Sequence, residues 1–403
     1  MDLLYMTTRI LSQKNYFSIP QTIWVLGFMT LLMNFSTIIV FSLSPIYLTQ
    51  VFGASCFAIG FLEGFVEFLS LMTRIFAGLI TDALSKRKPL LVIAAGFTSV
   101  ARMMFPMAPS MEWIFVARSL DRVANGLQAT PREALIGDFA PSTKRGASYG
   151  LRESLGKIGA FLGAGLIFFL LSNHIVELKM ILWYAAIPTV FALVLIIWAI
   201  HDKPHSEAKR EVLFSLDKLL SLSKDYWFVV LIGSLFMLSN YSGAFLILKG
   251  KKVTGEDSIA PLIMIAQNGA AMLAAYPLGR MFDVLNHKRI LGVGFAIVIV
   301  ANIILASATT QNEIIVGCML WGIQLAMTQS LLSAKIAEHS KSYNRGTAFA
   351  LYYLAIGISI FMSNSVFGKL TDLFDIKYGF FFSAAVAGVA FFFLPLLKKA
   401  HEN

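Results

Sequence analysis

The chain has 403 residues, 57% of them hydrophobic and 14% charged, with 33 Lys and Arg against 23 Asp and Glu. A soluble domain has about 25% charged residues, so this composition excludes a water-soluble globule, and with it a nucleic-acid reading of the +10 net charge. Twelve spanning helices of about 20 residues would use roughly 240 residues, close to the apolar content.

In chain order the predicted spans are 23–47, 56–81, 89–106, 112–138, 146–172, 178–200, 227–249, 259–283, 290–308, 313–337, 346–371 and 378–397. Residues 1–22 are expected as a cytoplasmic N-terminal segment, and 23–200 as a first six-helix bundle. A linker follows at 201–226, then a second six-helix bundle at 227–397 and a cytoplasmic tail at 398–403. Leu213, Leu216, Leu219 and Leu220 give the linker an amphipathic helix lying on the membrane face. The basic residues of the loops, Lys86 to Lys88, Lys144 and Arg145, Lys288 and Arg289, Lys341 and Arg345, Lys398 and Lys399, all fall on one side of a twelve-span chain. The positive-inside rule makes that side the cytoplasm and puts both termini there. Cys56 and Cys318 are too few for a disulfide framework and have no metal-ligand spacing. The first apolar run is too long for a signal-peptide core.

A repeat divides the chain. Gly78-Leu-Ile-Thr-Asp82-Ala-Leu-Ser-Lys86-Arg87-Lys88 returns as Gly279-Arg-Met-Phe-Asp283-Val-Leu-Asn-His287-Lys288-Arg289. Asp138 with Arg145-Gly146 returns as Glu338 with Arg345-Gly346, again about 200 residues on. Two ordered pairs at one offset indicate duplicated halves, the plan of transporters whose sites lie near the midplane between repeats.

The Gly-x-x-x-Asp loop with its basic cluster resembles the signature loop between the second and third helices of the major facilitator superfamily. Arg118-Ser-Leu-Asp121-Arg122 with Asn125-Gly126 is similar to that family's fourth-helix pattern, and Pro131-Arg132-Glu133-Ala-Leu is similar to a bacterial exporter branch. The resemblance covers the whole chain. It implies an all-α membrane protein of 12 transmembrane helices in two pseudo-symmetric six-helix bundles. It also implies a gating role for Asp82, with Arg87, Gly78 and the pseudo-equivalent Asp283, in holding the cytoplasmic ends together. Two departures stand out. Ala83 replaces the family's Arg after the loop Asp, and Ala164 stands where proton-driven drug antiporters have a Gly-Pro step.

Ionisable groups inside spans cost roughly 2.5–3.5 kcal/mol each on insertion scales and need a reason. Glu63 and Glu67 share a helix face in the second span, with Glu67 near the midplane. They and Asp121 are the proton-coupling candidates; the structural alternative locks a Glu to Arg102. In the fourth span Asp121, Asn125, Gln128 and Arg132 form a polar stripe, and Arg122 or Arg118 could hold a carboxylate or phosphate by bidentate hydrogen bonds. The structural alternatives there are Arg118 with Asp121 and Arg122 with Glu153. Arg152, Glu153 and Lys157 of the fifth span are further substrate-binding candidates. On the opposite half the wall is uncharged, with Asn268, Gln324, Tyr352 and Tyr353 as candidates and Trp321 beside them. One charged wall facing an aromatic, hydrogen-bonding wall suits a solute with an ionised end and an apolar body.

The six histidines lie in or beside loops, no phosphate-cradling loop appears, and no loop is long enough for a nucleotide domain. No enzyme, cofactor or metal is therefore expected. A non-transporting receptor on the same fold would lose the polar stripe and the loop motif. The expectation is a secondary active transporter working by alternating access and coupled to protons. It would move a small amphipathic or anionic organic solute, with efflux favoured over uptake of an organic anion, polycarboxylate or siderophore. It is expected as a monomer in a lipid bilayer, the bacterial inner membrane, with no nucleic-acid partner.

Overall fold

The computed structural model describes residues 19–83, 86–141, 144–173, 175–202, 222–284, 287–340 and 345–396. The linker helix, residues 1–18 of the expected N-terminal segment and the C-terminal tail lie outside these residues. So do the side chains of Asp82 and Asp283.

Among the described residues the chain is helical throughout. The first half comprises α1 (Gln21–Phe52), α2 (Cys56–Ala83), α3 (Lys88–Met104), α4 (Met111–Phe139), α5 (Arg145–Ser172), α6 (Leu178–Tyr184) and α7 (Ala186–Ala199). The second comprises α8 (Lys224–Leu238), α9 (Gly243–Thr254), α10 (Ile259–Val284), α11 (His287–Ser307), α12 (Gln311–Glu338), α13 (Arg345–Leu373) and α14 (Ile376–Phe393). Taken end to end, α6 with α7 and α8 with α9 each make one span, so twelve crossings result. Eight of them are long and apolar enough to cross a membrane by length and composition. Among the rest, α3 has only 17 residues, and α4 contains the charges Arg118, Asp121, Arg122, Arg132 and Glu133.

The sixth and seventh spans were expected as continuous helices and are interrupted. Pro188 has no N–H to offer the carbonyl of Tyr184, so the helix resets at Ala185. In the seventh, the run Ser239-Asn240-Tyr241-Ser242 leaves the helix at mid-span, which is tolerated where side chains satisfy the freed backbone. Ser383 Oγ donates to Ser239 O, Asn240 Nδ2 donates to Phe236 O at 3.1 Å, and Ser242 N donates to Asn364 Oδ1 at 2.7 Å. Ser242 Oγ then caps α9 by accepting from Ala244 N.

The halves meet mainly where α2 lies along α13 and α5 along α10, with α1 touching α9 and α10. The α2–α13 seam is tightest on the side away from the basic loops. A Cβ at Gly60 would fall 2.2 Å from Asn364 O, and one at Gly368 would fall 2.3 Å from Cys56 O, so only glycine allows this approach. Asp372 at the end of α13 accepts from Cys56 N at 2.9 Å and Phe57 N at 2.8 Å, capping the first turn of α2 from the other half. Gln50 adds a bond to Asp257 at 3.1 Å on the same side. Further along α2, toward the basic loops, Arg74, Phe76 and Ile80 are exposed. The halves are therefore closed on one side and parted on the other.

Removing the Asp372 cap should loosen the closed side. Asp372→Ala loses two charge-assisted bonds, and even one worth about 1.4 kcal/mol gives roughly tenfold more of the opened seam. The check is the rate at which Cys56 reacts with a membrane-impermeant maleimide added on that side. An unchanged rate would make the cap incidental to closure.

Candidate functional site

Helices α2 and α4 run in the same direction and pack side by side. Their closeness is set at Gly126, where a Cβ would lie 2.8 Å from Ser70 O and 3.1 Å from Arg74 N. This register aligns the charges of the two helices in rungs. Glu63 bonds Arg118 in the first rung, an offset of 55 residues. One turn toward the basic side the same offset matches Glu67 with Arg122, and Arg122 lies within electrostatic reach of Asp121, Glu67 and Glu63.

The rungs differ in access. Glu63 is 6% and Arg118 1% exposed, and Ser242 Oγ of the second half donates to Glu63 Oε2 at 3.2 Å. This rung is sealed and bridges the halves. Glu67 and Arg122 are half-buried, Arg122 Nε has no hydrogen-bond partner among the described residues, and Asn125, one turn on, is exposed. Asp121 is also sealed, 3.1 Å from Arg102 of α3, which in turn donates to Thr37 of α1 at 3.0 Å. The pairings foreseen for Arg102 with a Glu, Arg118 with Asp121 and Arg122 with Glu153 therefore give way to Arg102–Asp121 and Arg118–Glu63. Rotation about the neighbouring helix axes, which spacing along one chain does not reveal, selects these partners.

On α5, Arg152 joins Glu133 at 3.0 Å and Glu153 at 3.2 Å, and Lys157 stands 3.9 Å from Glu153. Lys157 and Glu153 are exposed. They lie toward the basic side from Ala160 and Ala164, which pack on the second half. The wall of the second half is more closed than its composition suggests. Gln324 is fully buried and donates to Asn240 Oδ1 at 3.2 Å, and Tyr352 is packed against Gly233 inside its own bundle. In this conformation neither is open to a solute. Tyr353 is half-buried, as is Asn268, whose amide donates to Met264 O at 2.9 Å. Tyr241 donates to Asn302 at 2.7 Å in the same interior network.

The gating candidates are placed only in part. Arg87 bonds Asp138, and its backbone N–H donates to Asp202 at 3.0 Å, tying the second loop to the ends of the fourth and sixth spans. Gly78 is half-buried, with open space where a Cβ would sit. On the opposite face, outside the spans, Asp375 caps α14 at Lys377 N. Its hydrogen bond from Lys252 holds its carboxyl below the usual range.

Two features escape the reading of the sequence. Arg74, exposed on α2, has no hydrogen bond or ion pair among the described residues; its signal is the stripe Glu63, Glu67, Ser70, Arg74 at helical spacing. Ser242 is the other, and its signal is a polar Ser-Asn-Tyr-Ser run inside an apolar span.

Comparison with known proteins agrees with this architecture. The family model of the Major Facilitator Superfamily matches residues 25–267 and 228–403. An uncharacterized MFS-type transporter of Methanocaldococcus jannaschii is 25% identical over 367 residues, covering 89% of this chain and 90% of its own. An uncharacterized protein of Mycobacterium tuberculosis is 20% identical over 330 residues, 80% of each chain. Among solved structures, the nucleoside transporter NupG superposes with a TM-score of 0.73 at 14% identity, over 94% of this chain and 99% of that one. The human organic anion transporter MFSD10 does so with a TM-score of 0.63 at 13% identity, over 93% and 100%. At these identities the solved structures speak for the fold alone. The family match spans both six-helix halves, and the chain belongs to the major facilitator superfamily of membrane transporters.

Proposed function

We propose that this transporter is a secondary active carrier of a small organic anion, working by alternating access and coupled to protons. The observation that supports this best is the contrast between the two rungs. Glu63–Arg118 is sealed, whereas Glu67–Arg122, one turn away, is half-buried and lies toward the side where the halves part. A guanidinium there offers a planar fork for a carboxylate or phosphate. The neighbouring Glu67 is then its counter-ion until the solute's anion takes that place, and it is the group we propose to couple transport to the proton gradient. Asn125 and Lys157 flank the position, and Tyr353 and Asn268 supply uncharged contacts opposite.

The direction we propose is export, toward the side away from the basic loops. In this conformation the accessible rung opens where an exported solute loads. An importer would use the same conformation for release. Uptake into inside-out vesicles, driven by an imposed proton gradient, separates the two.

Arg122→Gln is expected to lower exchange of organic anions in proteoliposomes by about 100-fold. Glu67→Gln should keep exchange and lose gradient-driven accumulation; full accumulation by that variant eliminates Glu67 as the coupling group. The sealed rung should answer in stability rather than in coupling. Arg118→Leu leaves Glu63 an uncompensated buried charge and should destabilise the protein by about 3–5 kcal/mol, read as a fall in Tm. Replacing Glu63 by Gln in the same chain should restore most of that loss, and failure to do so would mean the pair is not what Arg118 serves.

A further inference from the structure

The first half holds more cation than its carboxylates answer, and the surplus is concentrated toward the parted, basic-loop side. Four cations lie there within α2, α4 and α5, inward of Lys144 and Arg145: Arg74, Arg132, Arg152 and Lys157. Two acids answer them among the described residues. Glu133 is 3.0 Å from Arg152 and 3.6 Å from Arg132. Glu153 is 3.2 Å from Arg152 and 3.9 Å from Lys157. Arg152 therefore takes the close contacts of both acids. Arg132 is left with the longer contact, made by its buried Nε, and a 3.5 Å bond to Gln128 Oε1. Arg74 has none of these partners, yet Arg132 lies within electrostatic reach of both Arg74 and Arg152, as it does of Glu133 and Glu153.

Like charges brought together at the edge of a low-dielectric interior repel, so such an arrangement requires something that favours it. Snorkelling to the interface accounts for Lys and Arg near helix ends, but Arg74 lies nine residues before Ala83, the last residue of α2, roughly 14 Å of helix. It lies seven residues from Glu67, about 10 Å along the axis, on the same stripe and on the way from the parted side to the Glu67–Arg122 rung. The facing wall offers no competing acid among the described residues. Gly357 packs on Phe68 of α2, and one turn toward the basic side on that same face stands Tyr353, its ring 6.0 Å from that of Phe349.

We propose that Arg74 and Arg132 form an oxyanion-binding subsite on the basic-loop side, separate from Arg122, where a carboxylate or phosphate group of the solute docks. Among the described residues Arg74 provides an open guanidinium fork with no acid of its own, Arg132 a second guanidinium held to an acid only by the 3.6 Å contact of its Nε with Glu133, and the anion supplies the counter-charge that Arg74 lacks. The spacing to Arg122 then suits a solute with two acidic groups, or one acidic group handed along the stripe. This deepens the organic-anion reading above and rests on it for the identity of the solute, though not for the existence of the subsite.

The test uses the purified full chain in detergent micelles at constant ionic strength, with inorganic phosphate and succinate as separate probes. Apparent Kd values come from the concentration dependence of Tm. At least one probe is expected to stabilise the wild type saturably, and the one that does distinguishes a phosphate ligand from a carboxylate. Arg74→Gln and Arg132→Gln should each weaken that probe at least about fivefold, with Arg74→Lys closer to the wild type. Arg74 is exposed, so its substitution leaves the packed interior intact, and the probe-free Tm verifies this. Loss in Arg74→Gln with binding kept in Arg122→Gln establishes the subsite even if the central anion reading fails, and loss in both variants makes Arg74 part of one continuous site. Loss only in Arg122→Gln upholds the central site and overturns the subsite. So does the absence of saturable stabilisation by either probe, or a change under about fivefold in Arg74→Gln.

Discussion

A bilayer interior offers no water to a charge or an open peptide group, so each polar group in these spans must be answered by protein or by an aqueous path. The Glu63–Arg118 pair is where that constraint bears hardest. Both side chains are almost wholly buried, and together they join α2 to α4. Glu63 then reaches Ser242 in the interruption of the seventh span, whose backbone is also held by Asn364 of α13. One ion pair thus fixes the register of two helices in the first half and the course of a broken helix in the second. The same register carries Glu67 and Arg122 to their positions, so the accessible rung inherits its geometry from the sealed one.

The two halves meet the constraint differently. The first uses ion pairs, Glu63–Arg118, Arg102–Asp121 and Arg152 with two glutamates. The second uses neutral hydrogen bonds, Gln324 to Asn240 and Tyr241 to Asn302, around stacked aromatic rings such as Phe236 and Phe295 at 4.2 Å. Neutral pairs carry a far smaller desolvation cost than ions, so this network stays buried without counter-charges. On the reading proposed above, recognition of charge falls to the first half through Arg122, and the second half supplies a surface of rings and amides.

Much of this was legible in the sequence because it depends on position along the chain. The spans, the side on which basic loops fall and the duplicated Gly-x-x-x-Asp loop all follow from local pattern. Charge partners do not. Arg118 sits three residues from Asp121, a natural helical pair, yet Asp121 turns to Arg102 and Arg118 to Glu63, because each helix presents a different face to each neighbour. The buried state of Gln324 and Tyr352 is hidden for the same reason: a polar residue in a span satisfies either a cavity or its own bundle, and composition reads alike in both. Asp372 caps Cys56 from 316 residues away, a contact no local signal encodes. Arg74 differs from these, since its stripe with Glu63 and Glu67 is visible in the sequence once the helix face is drawn.

The distribution of strong and weak contacts also bears on how the halves could move. The Glu63–Arg118 and Arg102–Asp121 pairs within the first half are sealed from water, and breaking either would strand a charge. The bonds that cross between halves at the closed side, Asp372 to the α2 amides and Gln50 to Asp257, are solvent-exposed. Water replaces such bonds when they part, so each costs only about 1–2 kcal/mol to break, less than stranding a buried charge. The Glu63–Ser242 bond is the exception, linking a buried charge to a neutral hydroxyl, and when it opens the carboxylate keeps Arg118. Beneath these bonds the seam is glycine against backbone, close packing that separates without exposing a charge. Alternating access, on the reading proposed above, needs this division: each half is rigid because its internal bonds cannot be exchanged for water, and the halves separate because the bonds between them can.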